Sequence, residues 1–474
     1  AIRGSGAVNG VSQLHAAVSR RLFQTLFPRW PVDEVPVGSV TNGVHMPSWD
    51  SEFADELWTE ASGKSRWRGD LETMEENINH ISNEKLWGFR NVSRNSLVDY
   101  IRKRLERQLM LSPQTQELID AAKNVFNPNT LTLGFARRFV PYKRPNLLLH
   151  DEERFVRILT NQERPVQLVI AGKAPPFDEA GKALIKQWIQ FIQQHNLYKH
   201  VVFLSDYDML LTENLVQGVD VWINTPRRPW EACGTSGMKV LVNGGINLSE
   251  LDGWWAEAYT PEVGWALGDV QEHGDDPGWD AVEAGNLYDL LEQQVVPDFY
   301  SRDGNGIPVK WIEKMRKSMA TLTPRFSANR VVREYTEKYY LPAAANYKKR
   351  AEDKGAPAKK MIHAMNEIKN KWQQIHFGET TIENLEDGYE FKILIGINGI
   401  HPEQVVVELF AEGINGAPAE IIKMETVSGQ NVGNYVFHAI VRTKRNAKDY
   451  TARIKPCYEG ISAPLEDNRI LWQH

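Results

Sequence analysis

The sequence is poor in cysteine and contains no long apolar run. Cys233 and Cys457 are its two cysteines among 474 residues, too few for a disulfide framework, so a reducing cytoplasmic compartment is expected. Apolar stretches such as residues 216–223 are short and are interrupted by Gly or Asp, which predicts no transmembrane helix. The first residues lack the apolar core of a signal peptide. These absences disfavour a secreted disulfide-rich protein and an integral membrane protein.

The chain also lacks a strong excess of charge of one sign. It has 55 basic and 61 acidic side chains and a formal net charge of −6, which does not imply polyelectrolyte binding to nucleic acid. Hydrophobic residues are 42% and charged residues 24%, proportions that disfavour long disorder and a coiled coil. His15, His45 and His150 have no metal-ligand spacing, so no metal site is predicted.

Patterns along the chain predict an α/β architecture with several domains. Residues 1–41 show a helical repeat, and a charged helical stretch covers about 80–125. Between 131 and 223 strand and helix signals alternate, with strands predicted at 131–135, 166–171, 201–204 and 219–223. This alternation predicts a parallel sheet with crossover helices. Ligands of such sheets bind beyond the carboxyl ends of the strands.

The pattern changes near residue 345. A basic connector is followed by an amphipathic helix with Ile362, Met365, Ile368 and Trp372 on one face. From residue 380 apolar side chains alternate with period two, which predicts an antiparallel β-sandwich of about a hundred residues. The predicted segments are therefore 1–41, 42–345, 346–379 and 380–474.

The loop after the first predicted strand is rich in cations. Arg137, Arg138, Lys143 and Arg144 fall within eight residues, after a strand and before a helix. Guanidinium groups match phosphate oxygens, and a helix N-terminus favours an anion. The loop alone is equally compatible with a solvated basic turn.

The loop after the fourth predicted strand combines small residues with a lysine. Gly234, Thr235, Ser236 and Gly237 offer backbone N–H groups to an anion, and Lys239 follows on a predicted first helical turn. A lysine there is compatible with phosphate binding, with a Schiff base to an aldehyde cofactor, or with a solvated side chain. The spacing is not that of a nucleotide P-loop.

Two nearby features are interpreted as structural. The Gly172-Lys173 segment is predicted to be a tight turn with an exposed lysine. Cys233 is predicted to be a small packing residue, since no histidine lies near it in sequence.

Several ordered motifs together resemble the α-glucan (glycogen, starch or maltodextrin) phosphorylases. Glu231-Ala-Cys-Gly-Thr-Ser-Gly-Met-Lys239, with Asn243-Gly and Leu251-Asp-Gly-Trp-Trp, is similar to their cofactor loop. Arg138 to Lys143 is similar to their substrate-phosphate segment. Thr41-Asn42-Gly43 resembles their interdomain hinge, and Val8 to His15 an active-site segment before it. The resemblance covers about residues 4–340 and is to the short bacterial and archaeal branch.

The resemblance implies a retaining phosphorolysis that releases glucose 1-phosphate from an α-1,4-glucan. Pyridoxal phosphate would be bound as a Schiff base on Lys239, and its phosphate would exchange a proton with the substrate phosphate. Arg138 and Lys143 would hold phosphate. Gly234, Thr235 and Gly237 would meet the cofactor phosphate, with Tyr207 nearby. Glu231 and Asn42 would hydrogen-bond glucose hydroxyls. The implied fold is the Rossmann-like C-terminal half of a two-domain (GT-B) glycosyltransferase, followed by the β-sandwich.

The chain departs from that family in three residues and in length. Gly6, Asp208 and Cys233 stand where the family usually has His, Arg and Ser. Most of the first Rossmann-like domain is missing, with residues 1–41 as its end. We therefore expect the C-terminal part of a longer protein, inactive without its upstream N-terminal domain, with an apolar helix stripe left exposed and homo-oligomers possible. A glycogen synthase-like nucleotide-sugar transferase and a non-catalytic glucan-binding fragment are the alternatives.

Overall fold

The computed structural model describes residues 2–68, 71, 73–111, 115–414, 416–431 and 433–474. The chain forms two compact units. The first comprises Ala1–Asn9, Ala17–Gly38 and Tyr335–His474, and the second comprises Gly10–Ala16 and Ser39–Glu334. Within the described residues, none of the helices combines the length and the apolarity required to cross a bilayer.

The helices of the described residues are α1 (Gln13–Phe23), α2 (Glu52–Ser62), α3 (Met74–Asn79), α4 (Asn83–Met110), α5 (Gln116–Ala122), α6 (Glu152–Leu159), α7 (Glu179–Gln194), α8 (Met209–Gly218), α9 (Ser236–Lys239), α10 (Trp255–Ala258), α11 (Pro277–Leu290), α12 (Val296–Tyr300), α13 (Val309–Arg325), α14 (Ala328–Tyr335) and α15 (Leu341–Lys371).

The strands are β1 (Asn9–Gly10), β2 (Gly38–Ser39), β3 (Leu131–Ala136), β4 (Val166–Ala171), β5 (Val201–Leu204), β6 (Val221–Asn224), β7 (Ile246–Glu250), β8 (Gly264–Leu267), β9 (His376–Leu385), β10 (Gly388–Gly396), β11 (Val405–Ala411), β12 (Glu420–Lys423), β13 (Glu425–Asn431), β14 (Asn434–Arg442), β15 (Thr451–Pro456) and β16 (Leu471–Trp472).

The second unit is built on a parallel sheet with the order β5-β4-β3-β6-β7-β8. All six residues of β3 and all six of β4 are buried, as expected for strands covered on both faces. The parallel sheet and its first four strands confirm the sequence prediction. Strands β7 and β8 were not predicted, because β7 contains Asn247, Ser249 and Glu250 among its buried residues.

The direction of strand addition reverses between β3 and β6. Strands β4 and β5 extend the sheet on one side of β3, whereas β7 and β8 extend it beyond β6. Leu133 of β3 pairs with Val221 of β6, so the loops that leave these two strands begin side by side. Such a reversal opens a crevice at the carboxyl ends of the strands. The cation-rich loop and the lysine loop therefore share one edge of the sheet.

Helix α4 carries buried charges that help to hold it to the second unit. Asp220, fully buried before β6, accepts a hydrogen bond from Arg94 at 3.0 Å and lies 3.3 Å from Arg90. Arg90 also donates to the carbonyl oxygens of Gly218 and Val219, at 2.9 and 2.7 Å. These bonds satisfy the carbonyl end of α8, which water does not reach. The predicted helix is confirmed over Asn83–Met110.

The first unit contains two antiparallel sheets, ordered β13-β14-β10-β9 and β12-β11-β15-β16. Most side chains predicted to alternate inward are buried along β10, β11, β14 and β15, including Phe391, Ile393, Val407 and Ile454, whereas Tyr435 is partly buried. The period-two prediction is thereby confirmed. Helix α15 is interrupted at Glu352–Gly355, where Asp353, Lys354 and Gly355 have positive φ; Ile368 is buried, but Ile362 is 48% exposed.

Residues 17–38 belong to the same compact unit as the two antiparallel sheets. Trp30 donates its indole N–H to the Asn468 carbonyl oxygen at 2.8 Å. Arg453, fully buried, binds Glu34 at 2.5 Å and Glu408 at 2.7 Å. In the predicted apolar stripe of residues 1–41, Leu22 is 67% exposed. That residues 1–41 end a Rossmann-like domain stays a prediction.

Candidate functional site

Glu231 lies at the centre of the crevice between the two loops. Its Oε2 accepts a hydrogen bond from Arg137 Nη2 at 2.7 Å and another from Lys143 Nζ at 2.5 Å. Arg137 is the first residue after β3, and a 3₁₀ turn at Pro141–Lys143 returns Lys143 toward the sheet. Both cations are buried and Glu231 is half-buried. One carboxylate is therefore surrounded by two cations in a region of low water access.

Arg137 is a site residue that the sequence interpretation did not single out. Its Nη2 binds Glu231, but its buried Nε and Nη1 meet no acceptor in the part of the chain that the structure describes. Burial lowers the pKa of this guanidinium despite the opposing charge of Glu231. Buried N–H donors without a partner are costly. Arg137 therefore has the hydrogen-bonding capacity to hold an anion.

Arg138, the arginine that was predicted to bind phosphate, is exposed. Burial raises the pKa of Tyr142, and a hydrogen bond with Arg138 opposes part of this rise. The charge of Arg138 also contributes to the lowered pKa of Lys143. Arg138 thus faces the Lys143 side of the crevice. Both arginines come from the run of cations noted in the sequence, and burial distinguishes their environments.

Lys143 is a buried lysine whose protonated form is destabilised by its surroundings. Burial, followed by the neighbouring charge of Arg137, lowers its pKa to about 8, while Glu231 opposes the shift. A second anion placed near its ammonium group would therefore stabilise the protonated form. Tyr207 lies on the same side, since the charge of Arg137 acts on its hydroxyl; burial raises the pKa of Tyr207, and Thr212 is hydrogen-bonded to it.

Lys239 is separated from the Glu231 cluster in its contacts. It ends the short helix α9, and its Nζ lies 3.8 Å from the centroid of the Trp49 ring. Burial lowers its pKa, and no carboxylate within the described residues forms an ion pair with it. A partly desolvated amine without a counter-ion has a larger neutral fraction and is more nucleophilic. This environment distinguishes Lys239 from an ordinary surface lysine.

Trp49 was not anticipated, and Asn243 holds it in place. Asn243 donates from Nδ2 to the Trp49 carbonyl oxygen at 2.8 Å, and its Oδ1 accepts from the Ser51 N–H at 2.9 Å. Asn243 is fully buried. Asn243 therefore holds the backbone of Trp49, whose ring lies beside the Lys239 amine.

The backbone between Glu231 and Lys239 is tightly constrained. Gly234 has φ +79°, and an added Cβ would lie 3.2 Å from Glu231 Cγ. At Gly237 an added Cβ would lie 2.4 Å from Asn247 Oδ1. The backbone N–H groups of Gly234 and Thr235 have no acceptor among the described residues. These two N–H groups are therefore available to an anion beside Lys239.

Asn42 reaches the same loop through Cys233. Burial raises the pKa of the Cys233 thiol to about 12, and a hydrogen bond with the Asn42 backbone opposes part of this rise. The carbonyl oxygen of Asn42 accepts from Arg330 at 3.1 Å. Residues 10–16 join the loop as well, because Ser12 Oγ donates to the Ala232 carbonyl oxygen at 2.7 Å. The burial of Cys233 supports its interpretation as a packing residue.

Arg144, in the loop after β3, connects the loop after β6 to the end of β7. With φ +42°, it donates to the carbonyl oxygens of Thr225 and Pro226, both at 3.0 Å. Its guanidinium also binds Glu250 at 3.0 Å and contacts Glu283. Burial, then the interaction with Glu283, raises the pKa of Glu250 to about 9. Glu250 therefore retains its proton at neutral pH.

Asp252 and Asp208 have structural partners. The Glu231 N–H donates to Asp252 Oδ2 at 2.9 Å, which fixes the backbone that carries Glu231. Asp208, where an arginine was expected from the resemblance, accepts the Leu211 N–H at 2.8 Å and caps α8. Asp208 is therefore explained by helix capping.

Comparison with known proteins identifies the relatives of this chain. Residues 1–264 match the carbohydrate phosphorylase family. The chain is 38% identical to a glycogen phosphorylase of Mycobacterium tuberculosis over 86% of this chain and 48% of that protein. It is 33% identical to a maltodextrin phosphorylase of Thermococcus litoralis over 100% of this chain and 56% of that protein.

A third relative, a glycogen phosphorylase of Aquifex aeolicus, is 39% identical over 70% of this chain and 47% of that protein. The chain thus spans about half the length of these curated relatives. The family match covers residues 1–264 of 474 and includes both loops of the crevice. The chain therefore belongs to the carbohydrate phosphorylase family.

Proposed function

We propose that this chain forms the phosphate-binding wall of an α-glucan phosphorylase. The reaction transfers the terminal α-1,4-linked glucose of glycogen or a maltodextrin to inorganic phosphate, with retention, and releases glucose 1-phosphate. The observation that carries the proposal is the buried Arg137–Glu231–Lys143 cluster, in which Arg137 Nε and Nη1 have no acceptor among the described residues. Family membership and the names of the relatives support it.

The cations of the crevice would bind the substrate phosphate. Arg137 offers two buried donors, Lys143 a desolvated ammonium group, and Arg138 an exposed guanidinium on the same side. A phosphate bound there would compete with Glu231 for the cations. Charge-assisted hydrogen bonds of this kind are strong where water is excluded. Glu231 would then be released to accept hydroxyl groups of glucose, together with Asn42 on the adjoining segment.

The residues around Lys239 fit pyridoxal phosphate. Lys239 supplies a desolvated amine. Among the described residues this amine has no carboxylate partner, and the N–H groups of Gly234 and Thr235 have no acceptor. Gly237 permits close packing of the loop, and Tyr207 lies beside Arg137. When bound, the cofactor supplies a phosphate that exchanges a proton with the substrate phosphate. The chain's part is to hold the two phosphates close, with cations and N–H dipoles offsetting their repulsion.

The finer architecture is part of the same proposal. Residues 42–345 would be the Rossmann-like C-terminal half of a two-domain GT-B glycosyltransferase, with 1–41 as the end of the other half. Residues 346–379 would be a connector and 380–474 a β-sandwich, which the two antiparallel sheets and their shared core support. An upstream N-terminal domain would complete the crevice. Both cysteines are free thiols, which supports a cytoplasmic location.

The decisive experiment combines an activity assay with chemical trapping. The chain joined to an upstream phosphorylase domain should release glucose 1-phosphate from glycogen and phosphate, whereas the 474 residues alone should not. Borohydride reduction and peptide mapping should place a pyridoxyl group on Lys239. The exposed Lys173 provides a control position that should stay unmodified. An unmodified Lys239 in an active preparation would contradict the proposal and favour a nucleotide-sugar transferase.

A further inference from the structure

Two charged side chains of the second unit hold the backbone that carries Asn42. Thr41 Oγ1 donates a hydrogen bond to Glu257 Oε1 at 2.8 Å. Arg330 Nη2 donates to the carbonyl oxygens of Thr41 and Asn42, at 2.7 and 3.1 Å. Thr41 is buried, and Glu257 and Arg330 are half-buried. Water therefore has limited access to compete for these hydrogen bonds.

Arg325 ties the two charged residues to each other. Its Nη2 donates to the Glu257 carbonyl oxygen at 2.8 Å, and its own carbonyl oxygen accepts from Arg330 Nε at 2.7 Å. Arg330 is also paired with Glu334, at 3.1 Å. With Thr41, the residues Glu257, Arg325 and Arg330 form a closed hydrogen-bonded ring, here called the latch. Side-chain networks whose members are satisfied rigidify the backbone that they bind.

The backbone of Asn42 is fixed by hydrogen bonds to both of its polar groups. Its N–H donates to the Val11 carbonyl oxygen at 3.0 Å, and its carbonyl oxygen accepts from Arg330. Within the residues that the structure describes, the side-chain amide of Asn42 has no hydrogen-bond partner. An amide side chain offers two N–H donors and one oxygen acceptor. The latch therefore determines the position from which this amide can bind a ligand.

The latch also reaches the loop that carries Glu231. Glu257 Oε1 accepts a second hydrogen bond, from the Gln13 N–H at 3.3 Å. The preceding residue, Ser12, donates from Oγ to the Ala232 carbonyl oxygen at 2.7 Å, and Ala232 directly follows Glu231. The backbone held by the latch is thus connected to the Glu231 loop through the segment that contains Ser12 and Gln13.

We propose that Glu257 and Arg330 are positioning residues, which hold the Asn42 amide and the Glu231 loop in the relative arrangement that binds glucose hydroxyl groups. The inference rests on the proposed function, in which Asn42 and Glu231 bind the glucose unit that is transferred. A preorganised amide loses less freedom when the sugar binds. The latch residues themselves would not touch the sugar. Because they form no hydrogen bond or ion pair with the cations of the crevice among the described residues, phosphate binding would not depend on them.

Steady-state phosphorolysis by the chain joined to an upstream phosphorylase domain tests this role. Glu257→Ala and Arg330→Ala should each raise the KM for maltoheptaose by about tenfold, because a hydrogen bond to the sugar is misplaced. The KM for phosphate should stay unchanged. Glu257→Gln keeps an oxygen acceptor for Thr41 and should restore the KM for maltoheptaose to that of the unmodified chain.

Arg316→Gln is the matched control. Arg316 is also a half-buried arginine that holds neighbouring backbone, since it donates to the Ile78 carbonyl oxygen at 3.1 Å and to Asn83 Oδ1 at 2.7 Å. Its replacement should leave both KM values unchanged. Thermal melting identifies a latch variant that fails to fold. In that case Arg330→Lys decides, because lysine keeps the charge but lacks the planar fork, and the same rise in the KM for maltoheptaose is expected.

A double-mutant cycle separates positioning from a general loss of stability. If the latch acts through Asn42, adding Glu257→Ala to Asn42→Ala should raise the KM for maltoheptaose no further than Asn42→Ala does alone. A purely structural effect would multiply with that of Asn42→Ala. Multiplicative effects, or an unchanged KM for maltoheptaose in both Glu257→Ala and Arg330→Ala, would overturn the proposal.

Hydrogen exchange of the 474-residue chain tests the latch without the reaction. In Glu257→Ala, backbone amides in peptides that cover residues 38–46 should exchange faster than in the unmodified chain, because this segment opens more often. In Arg316→Gln they should exchange at the unmodified rate. Equal exchange in Glu257→Ala would refute the latch even where phosphorolysis is intact. Absent phosphorolysis by the unmodified joined chain would refute the proposed function, and with it the role of the latch in sugar binding, whatever the exchange rates.

Discussion

Lys143 Nζ lies 2.5 Å from Glu231 Oε2, the same oxygen that accepts the Arg137 hydrogen bond. The lysine comes from the loop after β3 and the glutamate from the loop after β6, 88 positions later in the sequence. Lys143 is therefore not a solvated loop residue. In the proposed reaction its ammonium group would exchange this carboxylate for a phosphate.

Replacing Lys143 should impair phosphate use. In the chain joined to an upstream phosphorylase domain, Lys143→Ala should lower the rate of glucose 1-phosphate formation by about 10²–10³-fold, because it removes a preorganised cation from a buried site. Lys173→Ala, which changes an exposed lysine in the loop after β4, should have little effect. Initial rates at varied phosphate concentration measure both variants; equal rates would show that Lys143 is structural.

The activity should also depend on the protonation of Lys143. Its pKa is lowered to about 8, so the cation is present below that pH and is lost as the pH rises through it. The KM for phosphate should therefore increase above pH 8. Lys143→Arg should remove this increase, since a guanidinium stays protonated. A rise in KM that is identical in Lys143→Arg would assign the titration to another group.

Arg144 and Glu250 should differ sharply in their effect on stability. Arg144→Met leaves Glu250 and Glu283 buried without their cation and should cost about 3–5 kcal/mol of unfolding free energy. Glu250→Gln should cost less than about 1 kcal/mol near pH 7, because Glu250, with its pKa raised to about 9, is already protonated there. Chemical denaturation of both variants measures the difference.

The raised pKa of Glu250 also predicts how the stability of the folded protein changes with pH. The folded pKa of about 9 exceeds the ordinary value of 4.5, so the folded protein binds the extra proton between these values. The contribution of Glu250 to stability is fully present below about pH 4.5 and is lost as the pH rises through 9. Glu250→Gln should flatten this part of the stability curve. An unchanged slope would show that Glu250 is ionised in the folded protein.

The two thiols should react at very different rates. Cys457 is exposed, whereas Cys233 is buried with its pKa raised to about 12. The thiolate is the reactive form, so iodoacetamide should add one carbamidomethyl group to the native protein, at Cys457. Mass spectrometry of the intact protein and of its peptides measures the modification. Both thiols should react in denaturant; rapid native labelling of Cys233 would contradict its burial.

Two glycine substitutions should have opposite effects. At Gly172 an added Cβ would lie 2.4 Å from the Arg137 carbonyl oxygen and 2.5 Å from the Phe139 ring, so Gly172→Ala should lower the melting temperature and displace the cation-rich loop. At Gly285, within α11, an added Cβ meets no atom within 4 Å. Gly285→Ala should be neutral or stabilising by about 0.5–1 kcal/mol. Comparison of the two melting curves tests the turn at Gly172.

Local sequence predicted the fold where the apolar pattern was continuous. Strands β3 and β4 are mostly apolar, with one polar side chain each, Thr132 and Gln167. Strand β7 is buried with several polar side chains, and Glu250 finds its partner Arg144 106 positions earlier in the chain. The candidate site was found through the motifs around Glu231 and Lys239. The roles of Arg137, Trp49 and Arg144 depend on burial and on contacts between loops, which spacing along the chain does not reveal.

Arg144 has a consequence for recombining this chain with related sequences. The partners of its guanidinium group all follow it in the chain: Thr225, Pro226, Glu250, Asp280 and Glu283. A chimera whose junction falls between residues 144 and 225 would inherit the arginine from one parent and every partner from the other. Junctions before residue 131 or after residue 283 would transmit the whole network from a single parent. The segment from residue 131 to residue 283 should therefore be taken whole from one parent. Exchanging one of its loops alone would separate Arg144 from its partners.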